Sequence, residues 1–275
     1  MATISEVGHA KNVAHLHTLI ATCIEYGSKY NPVKADIKIA ALQLLYDLSL
    51  AQLKSVSEAK AIYQNTANIR RDAFAPIKVL STKIMAALTA SDVSEKTIVD
   101  ARAINRKIQG ARLSKKLSEN QKPSAANEAV NAANNAANNA NNANNTAKTD
   151  AKIADKTDEK SISTSQQSYD QIVEHFRALI NLLELQTNYM PNETALQLST
   201  LKALLETLLT ANQNVINANI SLSNARANRN NVIYAPSIGL FDITKNVKAY
   251  VKSIFGTNSP EYKQLSKLHF VNKVK

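Results

Sequence analysis

The sequence predicts an all-α protein, and three observations carry that expectation. The 275 residues include only 5 Gly, 6 Pro and no Trp, which leaves few turn formers and few strand-favouring aromatics beside abundant Ala, Leu, Lys and Ser. Two stretches, from about 33 to 73 and from about 192 to 233, hold neither Gly nor Pro. Each permits a helix of about 40 residues, roughly 60 Å at 1.5 Å per residue. Apolar residues return at helical spacing on both sides of these stretches. A hydrophobic content of 44% is enough to bury a core in one large domain or two ordinary ones.

The chain also repeats itself. A shift of 159 residues lays Tyr30-Asn31-Pro32 on Tyr189-Met190-Pro191 and matches Glu25 with Glu184, Leu42 with Leu201, Leu45 with Leu204 and Ala59 with Ala218. A shift of 160 then pairs Ala67 with Ala227, Asn68 with Asn228, Leu80 with Leu240, and Phe74-Ala75-Pro76 with Tyr234-Ala235-Pro236. Register kept over so long a stretch predicts two tandem copies of a four-helix unit. Residues 1–113 form helical repeat 1, 114–167 an insert and 168–275 helical repeat 2, and the copies pack either as two bundles or side by side as one elongated bundle.

The elements follow in order. Val13, Leu16, Ile20, Cys23 and Ile24 mark the first helix of copy one, and Ile172, Phe176, Leu179, Ile180 and Leu183 that of copy two. Pro32 and Pro191, which disfavour helix before them and suit a first turn, are expected to open the long helices. In copy two Leu201, Leu204, Leu208, Ala211, Val215, Ala218, Leu222 and Ala225 alternate spacings of three and four, a packing seam that thins from leucine to alanine. Asn212, Asn214, Asn217, Asn219, Asn224, Asn228, Asn230 and Asn231 are placed on the other faces. After Ala75-Pro76 and Ala235-Pro236 come shorter helices, with Ile77, Leu80, Ile84 and Leu88 inward in one and Leu240, Ile243, Val247, Tyr250 and Ile254 in the other. A last helix in each copy starts at Ser94-Glu95 and at Ser259-Pro260-Glu261, a capping hydroxyl followed by early acidic charge.

In the insert, 10 of the 21 residues from 125 to 145 are Asn, and that composition reads as a disordered linker. Yet Ala126, Ala129, Ala133, Ala136, Ala140, Ala143 and Ala147 keep spacings of three and four, so a conditional helix that forms on docking is the alternative. These alanines are candidates for interaction through close helix contact.

Linear signs of catalysis are missing. His9, His15 and His17 form no i,i+4 ligand pair, so no metal site is expected. Cys23, the single cysteine, has no adjacent base and excludes an intramolecular disulfide. No phosphate-loop, nucleophile-elbow or zinc-protease string occurs. Glu25 and Glu184 recur but read as helix-terminal residues. No cofactor or small-molecule substrate is implied, and the protein is expected not to be an enzyme. No apolar leader opens the sequence and no uncharged apolar run of about 18 residues appears. Cytoplasmic residence and non-classical export are both allowed.

The net charge of +11 is carried by both copies. Lys245, Lys248 and Lys252 share a helix face, with Lys263, Lys267, Lys273 and Lys275 following, and Arg102, Arg106, Lys107 and Arg112 give copy one a comparable edge. Such faces suit a polyanion such as nucleic acid, or an anionic membrane surface, though a wet bundle face has the same pattern. The string VKAYVKSIFGTNSPEYKQLSKLHF (247–270), with Tyr-x-Pro and the Arg229 to Pro236 stretch, resembles a family of small uncharacterised helical proteins of Bacteroidota such as flavobacteria. The resemblance covers copy two and implies a helical repeat and a bacterial source, with no activity attached. The expected function is a non-enzymatic scaffold that associates with itself or with another helical protein through Ala/Asn-rich seams; polyanion binding and, behind it, membrane association are the alternatives.

Overall fold

The computed structural model describes residues 5–110 and 167–272. The insert alanines Ala126, Ala129, Ala133, Ala136, Ala140, Ala143 and Ala147, together with Arg112, Lys273 and Lys275, lie outside the described residues. Among those described there are α-helices and short 3-10 turns and no strand, so the chain is all-α. The helices are α1 (Ser5–Glu25), α2 (Ile39–Phe74), α3 (Ile77–Ala90), α4 (Glu95–Gln109), α5 (Tyr169–Glu184), α6 (Leu198–Tyr234), α7 (Leu240–Phe255) and α8 (Pro260–Ser266).

Local chemistry sets the ends. The hydroxyls of Ser94, Ser168 and Ser259 accept the backbone N–H of Thr97, Gln171 and Tyr262, each satisfying a first-turn donor that the helix cannot. Gly110 closes α4 at φ +73°, a left-handed conformation that glycine adopts without steric cost. Between α6 and α7 the chain turns so tightly that a Cβ on Gly239 would lie 2.6 Å and 2.7 Å from the backbone N and O of Ala235.

The long helices have 36 and 37 residues and start later than the prolines suggest. After each Tyr-x-Pro comes a 3-10 turn, Ala35–Ile37 or Thr194–Leu196, before α2 and α6 begin. Burial explains the delay: Ile37 and Leu196 drop into the core, and the Tyr30 hydroxyl donates to the Ile37 carbonyl at 2.6 Å, which fixes the chain in the turn. Ile24 is also placed differently, 56% exposed, and fully buried Leu19 takes the inward position. At the other end of the chain Ile254 sits at the rim while Val251 is fully buried. Asn212 is buried on the α6 seam rather than on an outer face, and so is Arg229.

Two compact units arise, Met1–Leu80 with Asn192–Lys275, and Ser81–Pro191. Each draws on both sequence halves. In the first, one core cluster joins Leu16, Leu19, Ile20 and Cys23 of α1 and Leu42 of α2 to Ile233 of α6, Leu240, Val247 and Val251 of α7, and Leu265 of α8. A smaller cluster sets Val56 of α2 against Leu222 and Ala225 of α6, with Ala59 and Tyr63 beside it. Since Leu42 shares a core with Ile233 and Val56 with Leu222, α2 and α6 run antiparallel. Seam residues Leu201, Leu208, Ala211, Val215, Ala218, Leu222 and Ala225 are buried, while Leu204 is half-buried beside buried Leu205. Small side chains let the two helices approach closely along this stretch.

In the second unit α4 packs on α5. Gln109 Nε2 donates to Ser81 Oγ at 2.9 Å, tying α4 to α3, and Gln167 Nε2 donates to the Lys107 carbonyl at 2.7 Å. Val173, Phe176, Leu179, Ile180 and Leu183 form the buried face of α5. Residues 160 earlier, Val13, Leu16, Leu19, Ile20 and Cys23, form the buried face of α1. The tyrosines Tyr30 and Tyr189, and the turn residues Ile37 and Leu196, 159 apart, are buried alike.

Candidate interaction surfaces

The residues that chemistry would single out are mostly engaged inside the fold. His9 Nδ1 lies 2.8 Å from the Tyr234 hydroxyl, and His15 Nδ1 3.0 Å from the His269 carbonyl. His17 stacks obliquely on Tyr46. Among the described residues no group of three or more His, Cys, Asp or Glu side chains is placed to hold a metal ion. Cys23 is a core thiol, 1% exposed, and burial pushes it up to about 12, so at neutral pH it carries no thiolate nucleophile. Glu25 and Glu184 are the exposed last residues of α1 and α5.

The most built polar arrangement in the first unit holds the C-terminal tail. Asn12 of α1 donates through Nδ2 to the Val271 carbonyl at 2.9 Å and accepts the Val271 N–H at Oδ1, 3.0 Å away, as a neighbouring strand would. The Tyr26 hydroxyl donates to the Glu261 carbonyl at 3.0 Å. Phe270 meets His15 edge-on. Sequence reading missed this clamp because nothing in one side chain announces a partner 259 positions away.

The basic face of α7 is only partly free. Lys245 pairs with Asp242 at 2.9 Å and lies over the Phe241 ring. Lys248 donates to the Leu268 carbonyl and lies over the Phe270 ring; burial draws its pKa below the ordinary lysine value. Lys252, Lys263 and Lys267 are exposed. Lys248 thus faces the tail rather than solvent, an outcome that helical spacing alone does not reveal.

In the second unit a groove of about 680 Å³ between α3 and α4 is lined by Met85, Ala86, Ala90, Arg102, Asn105 and Arg106, among others, and Arg102 pairs with Glu95 at 3.3 Å. His175 of α5 has a buried Nε2 with no hydrogen-bond partner, and burial, aided by the Lys107 charge, lowers its pKa from 6.5. The folded protein then resists the proton that the unfolded chain accepts. Stability is expected to fall as pH drops through about 6.5 and toward the lower folded value, and His175→Gln should flatten that limb. Denaturant midpoints at pH 8 and pH 5.5 check it; equal slopes in both proteins refute it.

Several large apolar side chains of α2 are exposed. Leu44 is 71% exposed, Leu48 48%, Ile62 58% and Ile69 53%, all on the face turned away from Leu42, Ser49 and Val56. Within 39–90 there is a helical window long and apolar enough to cross a membrane by length and composition, and only a third of it is buried. The absence of an uncharged run in the sequence therefore understates how apolar this stretch is. Core helices of soluble proteins can be as long and as apolar.

No protein-family model, curated protein or solved structure matches this chain.

Proposed function

We propose that the protein is a non-enzymatic helical scaffold, two tandem copies of a four-helix unit, that associates with a second copy of itself along the outward face of α2. The exposure of Leu44, Leu48, Ile62 and Ile69 on one face, where Ser55, Glu58 and Asn65 are interspersed, carries the reading, since large exposed apolar patches with polar neighbours mark interaction sites. The face is also self-complementary. Positions 44, 48, 51, 55, 58, 62, 65 and 69 alternate spacings of four and three, and the series reads the same from either end. An antiparallel second α2 would set Leu44 against Ile69 and Ala51 against Ile62, with the Lys54–Glu58 pair, 3.8 Å apart within the helix, near the centre, as a closed two-fold interface allows. The alanine seam of α6 supports the scaffold from inside, where it packs on α2.

Absolute mass by light scattering at physiological salt tests the reading. The wild type is expected at twice the 30.0 kDa chain mass, and Leu44→Glu with Ile62→Glu at the single mass with unchanged helix content. A wild type that stays at the single mass overturns the proposal and turns attention to the alternatives. Polyanion binding through Lys252, Lys263 and Lys267 would weaken steeply with salt, and a membrane role would carry the protein down with liposomes.

A further inference from the structure

We propose that the two halves of the chain, residues 5–110 and 167–272, are each other's binding partners: neither holds a complete core, they remain associated without the residues that join them, and a second copy of the chain can supply the same complement. The last clause rests on the tandem-copy reading; the first two rest on contacts alone.

In the first unit the main core cluster takes Val13, Leu16, Leu19, Ile20, Cys23, Tyr30, Ile37 and Leu42 from the first half, and Ile233, Leu240, Ile243, Val247, Val251 and Leu265 from the second. Removing either half would open that cluster to water, and with it the apolar stabilisation that scales with buried area. Polar links cross the same boundary, from Asn12 to Val271 and from Tyr26 to Glu261. In the second unit the joined elements are again from different halves, α4 with α5, with Asn188 Nδ2 donating to the Asp92 carbonyl at 2.7 Å.

The exchange is reciprocal. α1, the first helix of its half, binds the last elements of the other half, α7, α8 and the tail; α5, the first helix of the second half, binds α4, the last of the first. Within the first unit α2 and α6 run antiparallel, and stepping along the pair from Val56 and Leu222 brings the matched alanines Ala59 and Ala218 to within a turn of each other. In each unit, then, a helix of one half is completed by helices of the other. Those contacts are made here within one chain, and the same contacts admit exchange of halves between chains.

The test uses the whole protein with a protease site inserted within residues 111–166. After cutting, both fragments are expected in a single size-exclusion peak at the mass of the uncut protein, with helix content retained. When two differently labelled cut preparations are unfolded and refolded together, a statistical share of the assemblies should pair a first half from one with a second half from the other. Fragments that separate into two peaks overturn the proposal, and so does refolding that yields no mixed pairs. The mixing is run also on the Leu44→Glu, Ile62→Glu protein, in which association through α2 is removed, so that mixed pairs there report exchange of halves alone and the two ideas fail separately.

Discussion

Phe176→Ala is expected to lower the unfolding free energy of the second unit by about 3–5 kcal/mol, the usual range for deleting a fully buried phenylalanine. Among the described residues Phe176 is the largest side chain with no exposure at all. It sits on an α5 face whose neighbours Val173, Leu179, Ile180 and Leu183 are buried as well. The facing helix α4 buries Ile98, Ala101 and Ile108, and a helix pinned through Gln109 to Ser81 and by the Ser94 cap has little freedom to collapse into the void. The cavity term therefore adds to the lost transfer energy. In a thermal melt followed by circular dichroism the loss should appear as a fall in Tm on the order of 10 °C. Phe176→Leu, which keeps most of the volume, should cost less than about 1.5 kcal/mol. A cost below about 1 kcal/mol for the alanine variant would mean that the unit repacks, and the rigidity inferred from these helix contacts would be wrong.

The same residue shows how far the sequence could be read. Phe176 belongs to an inward stripe visible from spacing alone, and so do Leu208, Val215 and Leu222, because a helix half in water and half in core must repeat its apolar residues every three or four positions. Ser94, Ser168 and Ser259 end their helices through local hydrogen bonds. What spacing could not give was contact between distant elements. Ile24 lies within the stripe of α1 and yet faces water, since the partners of that helix, α2, α7 and the tail, cover the side marked by Leu19. Asn212 and Arg229 are buried where composition placed polar residues outside. The late start of α2 depends on one tyrosine hydroxyl reaching Ile37. The candidate surfaces were legible in the same uneven way. Lys245, Lys248 and Lys252 were recognisable as a basic face, but only the position of Leu268 and Phe270 reveals that Lys248 is engaged. The apolar outward face of α2 went unremarked because Leu44, Leu48, Ile62 and Ile69 stand among equally apolar inward residues, and one-dimensional pattern does not say which of two stripes is covered.

Val56→Asp is expected to cost about 3–5 kcal/mol at neutral pH, as large as the phenylalanine deletion but with a different signature. Val56 is 3% exposed, packed against Leu222 and Ala225, where α2 and α6 lie close. A carboxylate there loses its hydration among Leu222, Ala225, Ala59 and Tyr63, and an aspartate is too short to reach water as a lysine would. The folded-state pKa of the new residue should therefore rise above the unfolded value of about 3.9. Between those two values the folded protein holds a proton that the unfolded chain gives up, so the ionisation part of the penalty is complete above the folded pKa, shrinks as pH falls through it and is gone below about 3.9, where the cost of a buried neutral carboxyl is left. Urea midpoints of variant and wild type should thus converge on acidification, which a loss of packing alone would not produce. Leu44→Asp, on the same helix but 71% exposed, should change the unfolding energy of the isolated chain by no more than about 0.5 kcal/mol while weakening association through α2. If instead Leu44→Asp proves the costlier of the two in the monomer, the faces of α2 have been assigned the wrong way round, and both the antiparallel pairing with α6 and the outward docking face fall with that assignment.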